Sequence, residues 1–432
     1  MVNDKGADSG QLLTSRQLTA LVVARAASCA GFFAVLPYLG LWLMDDRGLS
    51  GASAGLVVGA SILANRAGGV LLVQLIHRLG LKASVGVGYL GAVVVFGVLG
   101  MGLRLPTYGW LVLAVLVGLF LAMATTAMKA QVAAFPPDQR LRGFSYLNMA
   151  VNAGSAVGPV IGGQLLEWQA DRLPLSAALL DLVALAVVPA LPGDWRAADR
   201  SGAPAPAGST VGRRLPGRRF ATFTLLVCGT WVAYAQVFDV LPAYLGDSVG
   251  TRELGLVFTL NAVLVVALQV PVSALSRRLL NHPRAGFGLL CLTANAVLAL
   301  AVVLFGLGRS AGFGLVLTAM VLFTLSELVW SPLYDTQVGE RRGELSTTAA
   351  YALAGVAWGS AESVGAWLGT LLVVHRSGPE TLSGTAATPY WGGAALALLT
   401  GLALSWGGRH KSEKPLGGQE GNAHDVDVSA RA

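Results

Sequence analysis

Phe33-Ala-Val-Leu-Pro37-Tyr-Leu39-Gly40 recurs about 200 residues later as Phe238-Asp-Val-Leu-Pro242-Ala-Tyr-Leu245-Gly246. The likeness continues outward from each copy. The next apolar stretch opens with Gly55-Leu-Val in one half and Gly255-Leu-Val in the other, and closes with Arg78 and with Arg277-Arg278. Each copy stands near the end of a stretch that meets the length for crossing a bilayer, about 20 mostly apolar residues. About twelve such stretches follow one another, near 17–43, 52–76, 83–103, 108–134, 144–167, 174–192, 220–246, 253–276, 284–307, 311–337, 346–373 and 387–407. Six per half, in the same order and orientation, imply two bundles related by an axis along the membrane normal. The expected fold class is an all-α polytopic membrane protein with twelve transmembrane helices in two six-helix bundles.

Composition excludes the main alternatives. The 432 residues are 54% hydrophobic and only 12% charged, against about 25% charged in soluble proteins. Cys29, Cys228 and Cys291 all lie inside apolar runs, which excludes a disulfide framework and a zinc site. No G-x-x-x-x-G-K-[ST] loop is present, so ATP-driven transport is not expected. Neither a metal cluster nor a Ser/His/Asp constellation stands out, and the expectation is a non-enzyme without cofactor or metal. A net charge of +7 would point to nucleic acid in a soluble protein. Here it labels topology. Arg47, Arg104, Arg172, Arg252, Arg309 and Arg376 fall on one face, and the other loop cations fall on the opposite one. The richer face is expected in the cytoplasm. The expected organisation is a cytoplasmic N-terminus (1–16), a first bundle (17–192), a cytoplasmic linker rich in Pro, Gly, Ala and Arg (193–219), a second bundle (220–407) and a cytoplasmic tail (408–432). Met1–Gly10 is polar and carries no cleavable signal pattern.

Gly154-Ser-Ala-Val-Gly158-Pro159-Val-Ile-Gly162-Gly163 stands in the fifth span. Small residues four apart let a neighbouring helix approach closely, and Pro159 bends the helix by removing a hydrogen bond. The run resembles the G-x-x-x-G-P-x-x-G-G antiporter motif of the drug:proton exporters in the major facilitator superfamily, and the likeness to that superfamily covers nearly the whole chain. After the second span, Val73-Gln-Leu-Ile-His77-Arg78-Leu-Gly80-Leu-Lys82 resembles its gating-loop pattern G-x-x-x-D-R-x-G-R-K. Arg78, Gly80 and Lys82 fit, while Val73 replaces the glycine and His77 replaces the charge-relay aspartate. Arg140-Leu-Arg142-Gly-Phe-Ser-Tyr146, leading to Asn152, resembles the entry to the fifth span of multidrug exporters. The fourth-span arginine of some proton-coupled members has no counterpart; Lys129 stands in that span.

The resemblance implies a proton-coupled secondary transporter that exports small amphipathic organic molecules (a drug, antibiotic or metabolite) by alternating access. A proton-coupled uptake symporter of a small metabolite is the alternative. The expected partners are a small organic substrate, protons and the lipid bilayer of the cell membrane, with no nucleic acid, and the expected state is monomeric.

Ionisable residues inside a span are costly and mark pathways or proton sites. Asp239, Glu327 and Glu362 are the candidates for proton coupling, because a carboxylate can gain and lose its proton as access alternates, whereas Arg25 stays charged. Arg25 and Lys129 lie at similar depth in the first and fourth spans and call for anionic partners or an anionic ligand. Asp239 stands where the first half carries Ala34, so its role is not inherited from the repeat. Asp181 and Arg66 are further buried ionisable residues, and Asp335 reads as an interface residue. Tyr38, Trp231, Tyr234 and Gln236 offer flat apolar faces and a few hydrogen bonds for a substrate cavity. Reporter fusions at Gly208 and after Gly408 are expected to report cytoplasmic locations; an external signal from either would overturn the count of twelve spans.

Overall fold

Inside a bilayer a backbone must satisfy its own hydrogen bonds, and uncharged runs of Ala, Val, Leu and Gly do so as helices. In a computed structural model, residues 15–191, 216–245, 251–281, 286–375 and 387–409 are described. The first half comprises α1 (Ser15–Asp45), α2 (Gly51–Leu79), α3 (Leu81–Leu99), α4 (Thr107–Ala133), α5 (Pro137–Gln169) and α6 (Leu173–Val187). In the second half α7 (Arg218–Ala235) passes into a π-helical turn, Gln236–Val240, and ends with Leu241–Leu245. It is followed by α8 (Thr251–Leu280), α9 (Gly286–Ala311), α10 (Phe313–Arg341), α11 (Thr347–His375) and α12 (Thr388–Arg409). Among the described residues, nine helices are long and apolar enough to cross a membrane by length and composition. Leu63, Leu71, Leu179, Leu225, Leu399 and Leu402 point outward, as side chains facing lipid do.

Two of the expected boundaries are redrawn. α5 begins at Pro137 rather than near 144, because Pro136 caps the helix and Pro137 fits its first turn, where no amide donor is needed. The expected gating loop shrinks to one residue. His77 and Arg78 still belong to α2, Lys82 already belongs to α3, and only Gly80, at φ 83°, lies between them. A side chain at that φ would be strained. Most of the expected linker (193–219) and both tails fall outside the described residues.

The packing repeats with the sequence. α1 packs on α5 and α6, α2 on α4, and α3 on α4 and α6; six helices later, α7 packs on α11 and α12, α8 on α10, and α9 on α10 and α12. The halves meet through α2 with α11 and α5 with α8, a pairing that the same two-fold relation exchanges. Close approach within each half depends on glycine. A Cβ on Gly154, Gly158 or Gly162 of α5 would lie within 3 Å of the α1 main chain at Ala26, Ala30 or Ala34. In the second half, a Cβ on Gly365 or Gly369 of α11 would press into Val232, Ala235, Gln236 and Val240 of α7. The α5 stripe thus has a counterpart in α11 that the sequence reading did not single out, although its G-x-x-x-G spacing was there to be found.

Replacing Gly158 with Leu is expected to abolish transport while the protein still inserts in the membrane, since overpacking a tight contact costs about 1–3 kcal/mol and forces α5 off α1. Uptake assays in vesicles with matched protein content check this; unimpaired transport would reduce the glycine run to coincidence.

Candidate functional site

The seam between the halves carries the polar chemistry. Glu327 sits midway along α10 with 5% of its surface exposed. Its Oε1 accepts a bond from Asn152 Nδ2 of α5 at 3.0 Å, and its Oε2 accepts one from Asn261 Nδ2 of α8 at 2.9 Å. The amide orientations are fixed by their other partners. Asn152 Nδ2 also donates to the Asn148 carbonyl, and Asn261 Nδ2 to Thr324 Oγ1, whose own proton goes to the Met320 carbonyl. Both carboxylate oxygens therefore face donors, one from each half of the molecule.

The network continues one and two turns toward the cation-rich end. Asn148 Nδ2 donates to Gln269 Oε1 at 2.8 Å, and Ser331 donates to Asn148 Oδ1 at 3.0 Å. Gln269 Nε2 donates to Ser273 Oγ and to the Leu328 carbonyl, and Ser273 bonds Ser145 of α5. Asn148, Gln269, Ser273 and Ser331 were not singled out in the sequence. A neutral polar residue in a span gives a far weaker signal than a charge, and only spatial pairing reveals it.

On the other flank, two ion pairs cross the seam. Arg66 of α2 meets Glu362 of α11 at 2.7 Å, and Lys129 of α4 meets Asp335 of α10 at 2.8 Å. Both cations lie on one indole. The Arg66 guanidinium is 4.6 Å and the Lys129 ammonium 5.2 Å from the ring centre of Trp358. Trp231 of α7 stacks on the same ring at 4.2 Å and 14°. Close approach at Arg66 is again a glycine effect, because a Cβ on Gly359 would lie 2.7 Å from the Arg66 Cβ. The cation at Lys129 thus has the anionic partner that its burial demanded, in Asp335. Trp358, the meeting point of both pairs, was missed. Nothing distinguishes its tryptophan from an interfacial anchor until the fold brings α2, α4 and α7 to it.

The remaining candidates separate into distinct places. Asp239 lies exposed on the π-helical turn of α7, within electrostatic reach of Glu362 and Arg66. Its counterpart Ala34 is fully buried against α5. π-helical turns often mark functional positions. Trp231 and Tyr234 form an aromatic cluster with Phe323, Trp330, Tyr334 and Trp358. Gln236 is turned away into the α7–α11 contact, donating to the Val232 and Gly365 carbonyls. Tyr38 donates to the Pro159 carbonyl at 2.9 Å and packs against Gly162 and Gly163, so it braces the α5 motif. Arg25 donates to Thr125 Oγ1 at 2.7 Å within the first half, and Asp181 lies buried beside Ser28 in the same half. His77 Nε2 pairs with Ser346 Oγ across the seam at 2.9 Å, Arg78 is exposed, and Lys82 donates to the Pro189 and Leu191 carbonyls.

These cross-seam bonds run from the middle of the helices to the cation-rich end. Toward the other end, a Cβ on Gly55 or Gly59 of α2 or on Gly255 of α8 would meet nothing within 4 Å. Two bundles joined across a seam by polar bonds, with lipid-facing apolar surfaces, are the architecture of a membrane transporter. The sequence profile described as Major Facilitator Superfamily matches residues 21–366. The chain belongs to that superfamily, as a multi-pass membrane secondary transporter of small molecules. It is similar to the multidrug resistance protein MdtH of Cronobacter sakazakii, with 26% identity over 71% of this chain and 74% of the relative. It is also similar to MdtH of Shigella dysenteriae, with 24% identity over 71% and 74% of the two chains. Among solved structures, the human organic anion transporter MFSD10 (TETRAN) superposes with a TM-score of 0.66 at 18% identity, over 90% of this chain and 99% of that one. A POT family transporter in complex with a thioalcohol-conjugated peptide gives 0.66 at 13% identity, over 92% and 97%.

Asp335→Asn leaves Lys129 partly buried without its counter-charge, and breaking such a pair costs up to about 3 kcal/mol. The variant is expected to melt several degrees lower than the parent, and adding Lys129→Met should recover much of the loss. A double variant no more stable than the single one would show that the two residues are not coupled.

Proposed function

We propose that this protein exports small amphipathic organic molecules, of drug, antibiotic or metabolite type, across the plasma membrane in exchange for protons. Both termini and the linker between the bundles lie in the cytoplasm on this reading, so the end shut in this structure is the inner one. The observation that carries the coupling is Glu327, a carboxylate at mid-depth whose two oxygens accept one amide bond from each half. A proton on Oε1 would replace an acceptor with a donor facing Asn152 Nδ2. The cross-seam bond is then lost while the bond to Asn261 within the second half survives. Proton arrival thereby loosens the seam at its middle, and proton release re-forms it.

Glu362 offers a second proton-sensitive link, since protonation removes the counter-charge of Arg66. On this reading Asp239, within electrostatic reach of that pair, passes a proton toward it. Lys129 and Arg25 set the field of the cavity. On this reading Trp231, Tyr234 and Trp358, the first two buried in this state, become the aromatic wall against which an amphipathic substrate lies once the seam parts. Export rather than uptake is favoured by the α5 glycine run and by the relatives named multidrug resistance proteins.

Glu327→Gln presents one acceptor and one donor where the carboxylate presents two acceptors, and so mimics the protonated residue. It is expected to lose active efflux driven by a pH gradient, by about tenfold or more, while substrate still equilibrates passively across proteoliposomes. Asp239→Asn should behave likewise if it shares the path. Full gradient-driven efflux by Glu327→Gln would make Glu327 structural and place coupling elsewhere.

A further inference from the structure

At the cation-rich end, beyond the polar network, the seam opens into a polar cavity of about 470 Å³. Both halves build its wall. Ala133, Ala134 and Arg140 come from the first half, and Gly339, Glu340, Arg342, Gly343 and Thr347 from the second. The halves touch beside it, where a Cβ on Gly339 would lie 3.4 Å from the Ala133 Cβ. Gly343 turns the chain at φ 59°, with open space where a side chain would stand.

The two arginines are held but not neutralised. Arg140 Nε donates to the Phe135 carbonyl at 2.8 Å, and Arg342 Nη1 donates to the Leu345 carbonyl at 2.7 Å. A guanidinium has five N–H donors, and among the described residues neither arginine makes an ion pair. α11 starts at Thr347 on the cavity wall, so the positive end of its dipole adds to the same field. The acid on the wall, Glu340, is exposed and already accepts a bond from Gln337. Two anchored guanidiniums from opposite halves, with a helix start beside them, match a tetrahedral anion that offers several acceptors at once.

The geometry points to an anion-binding site for a phosphate group in this cavity, bridging Arg140 of one half to Arg342 of the other. The phosphate could be carried by an anionic lipid headgroup in the adjacent leaflet or by a free phosphate. In either case it bonds both halves at once and favours the state shut at this end, because a ligand shifts a conformational equilibrium toward the state it binds better. The site is separate from the proposed proton path and does not depend on the direction of transport.

Full-length protein in detergent, at fixed ionic strength, is titrated with inorganic phosphate, with short-chain phosphatidylglycerol and with short-chain phosphatidylcholine, and thermal unfolding is followed. The phosphate or phosphatidylglycerol titration is expected to raise the melting temperature in a saturable way, with phosphatidylcholine ineffective. A response to inorganic phosphate assigns the free anion, and a response to phosphatidylglycerol alone assigns the headgroup. Arg140→Gln and Arg342→Gln should each weaken the response about tenfold, the effect of one charge-assisted hydrogen bond. Glu340→Gln should strengthen it, which keeps the test decisive if an arginine variant folds poorly. No shift with either probe, or a shift that survives in the double arginine variant or falls in Glu340→Gln, overturns the assignment.

Discussion

A helix that leaves lipid for another helix exchanges one apolar surface for another, so apolar burial alone does not decide how the helices associate. Close backbone approach and polar bonding must supply the cohesion, and this molecule weights them differently within its halves and between them. Within a half, α5 lies on α1 through Gly154, Gly158 and Gly162, and α11 lies on α7 through Gly365 and Gly369. Between the halves, amides, hydroxyls and ion pairs make the joints, beside the close approach of α11 to Arg66 at Gly355 and Gly359. Dispersion across a glycine stripe is lost steeply with separation and keeps each bundle stiff. A hydrogen bond across the seam can be exchanged for one to water when a crevice opens, so it can be broken and remade at small net cost.

The internal repeat gives both halves the same packing, and function then shows in departures from it. Ala34 is buried where α1 meets α5, as the repeat requires, but its counterpart Asp239 sits exposed on a π-helical turn. The extra residue of that turn lets Gln236 reach into α11 while Asp239 stays outside the helix contact. Trp358 is a second departure, because one indole in the second half receives cations from two helices of the first. On separation, Arg66 and Lys129 would leave with one half and Glu362, Asp335 and the aromatic wall with the other.

Much of the fold was legible because lipid imposes a strong local rule: a span must be long, apolar and nearly free of charge. The expected bounds of α1, α4 and α9 lie within a few residues of the observed helices. The errors came where a proline or a glycine, rather than hydropathy, sets the end, as at Pro137 and Gly80. The site was legible only where it carried charge. Glu327, Glu362, Lys129 and Asp239 announce themselves by being ionisable inside a span. Their partners Asn152, Asn261 and Trp358 lie far away along the chain and are ordinary residue types, so their meaning comes from pairing that no local pattern encodes. Tyr38 and Gln236 illustrate the opposite failure. An aromatic or amide in a span can serve a helix contact as easily as a cavity, and here their hydrogen bonds go to the Pro159 and Gly365 carbonyls.

The seam is held at several depths, and this bears on how it can open. Shifting a two-state equilibrium from almost wholly shut to almost wholly open takes about 5.5 kcal/mol of differential binding. Breaking one partly buried ion pair in place can cost more than half of that if the partner is left uncompensated. Losing Arg66–Glu362, Lys129–Asp335 and the Asn152–Glu327 bond together in a dry interface would therefore exceed what one proton or one substrate can supply. Water must enter as the bonds part, so that each charge exchanges a partner for solvent rather than losing one. The cavity beside Arg140 and Arg342 opens the cation-rich end of the seam to solvent, where hydration would start. On the proposed reading, an anion seated there would have to leave before the water could advance, so that opening would be controlled at the end of the seam and proton coupling, at Glu327, in its middle.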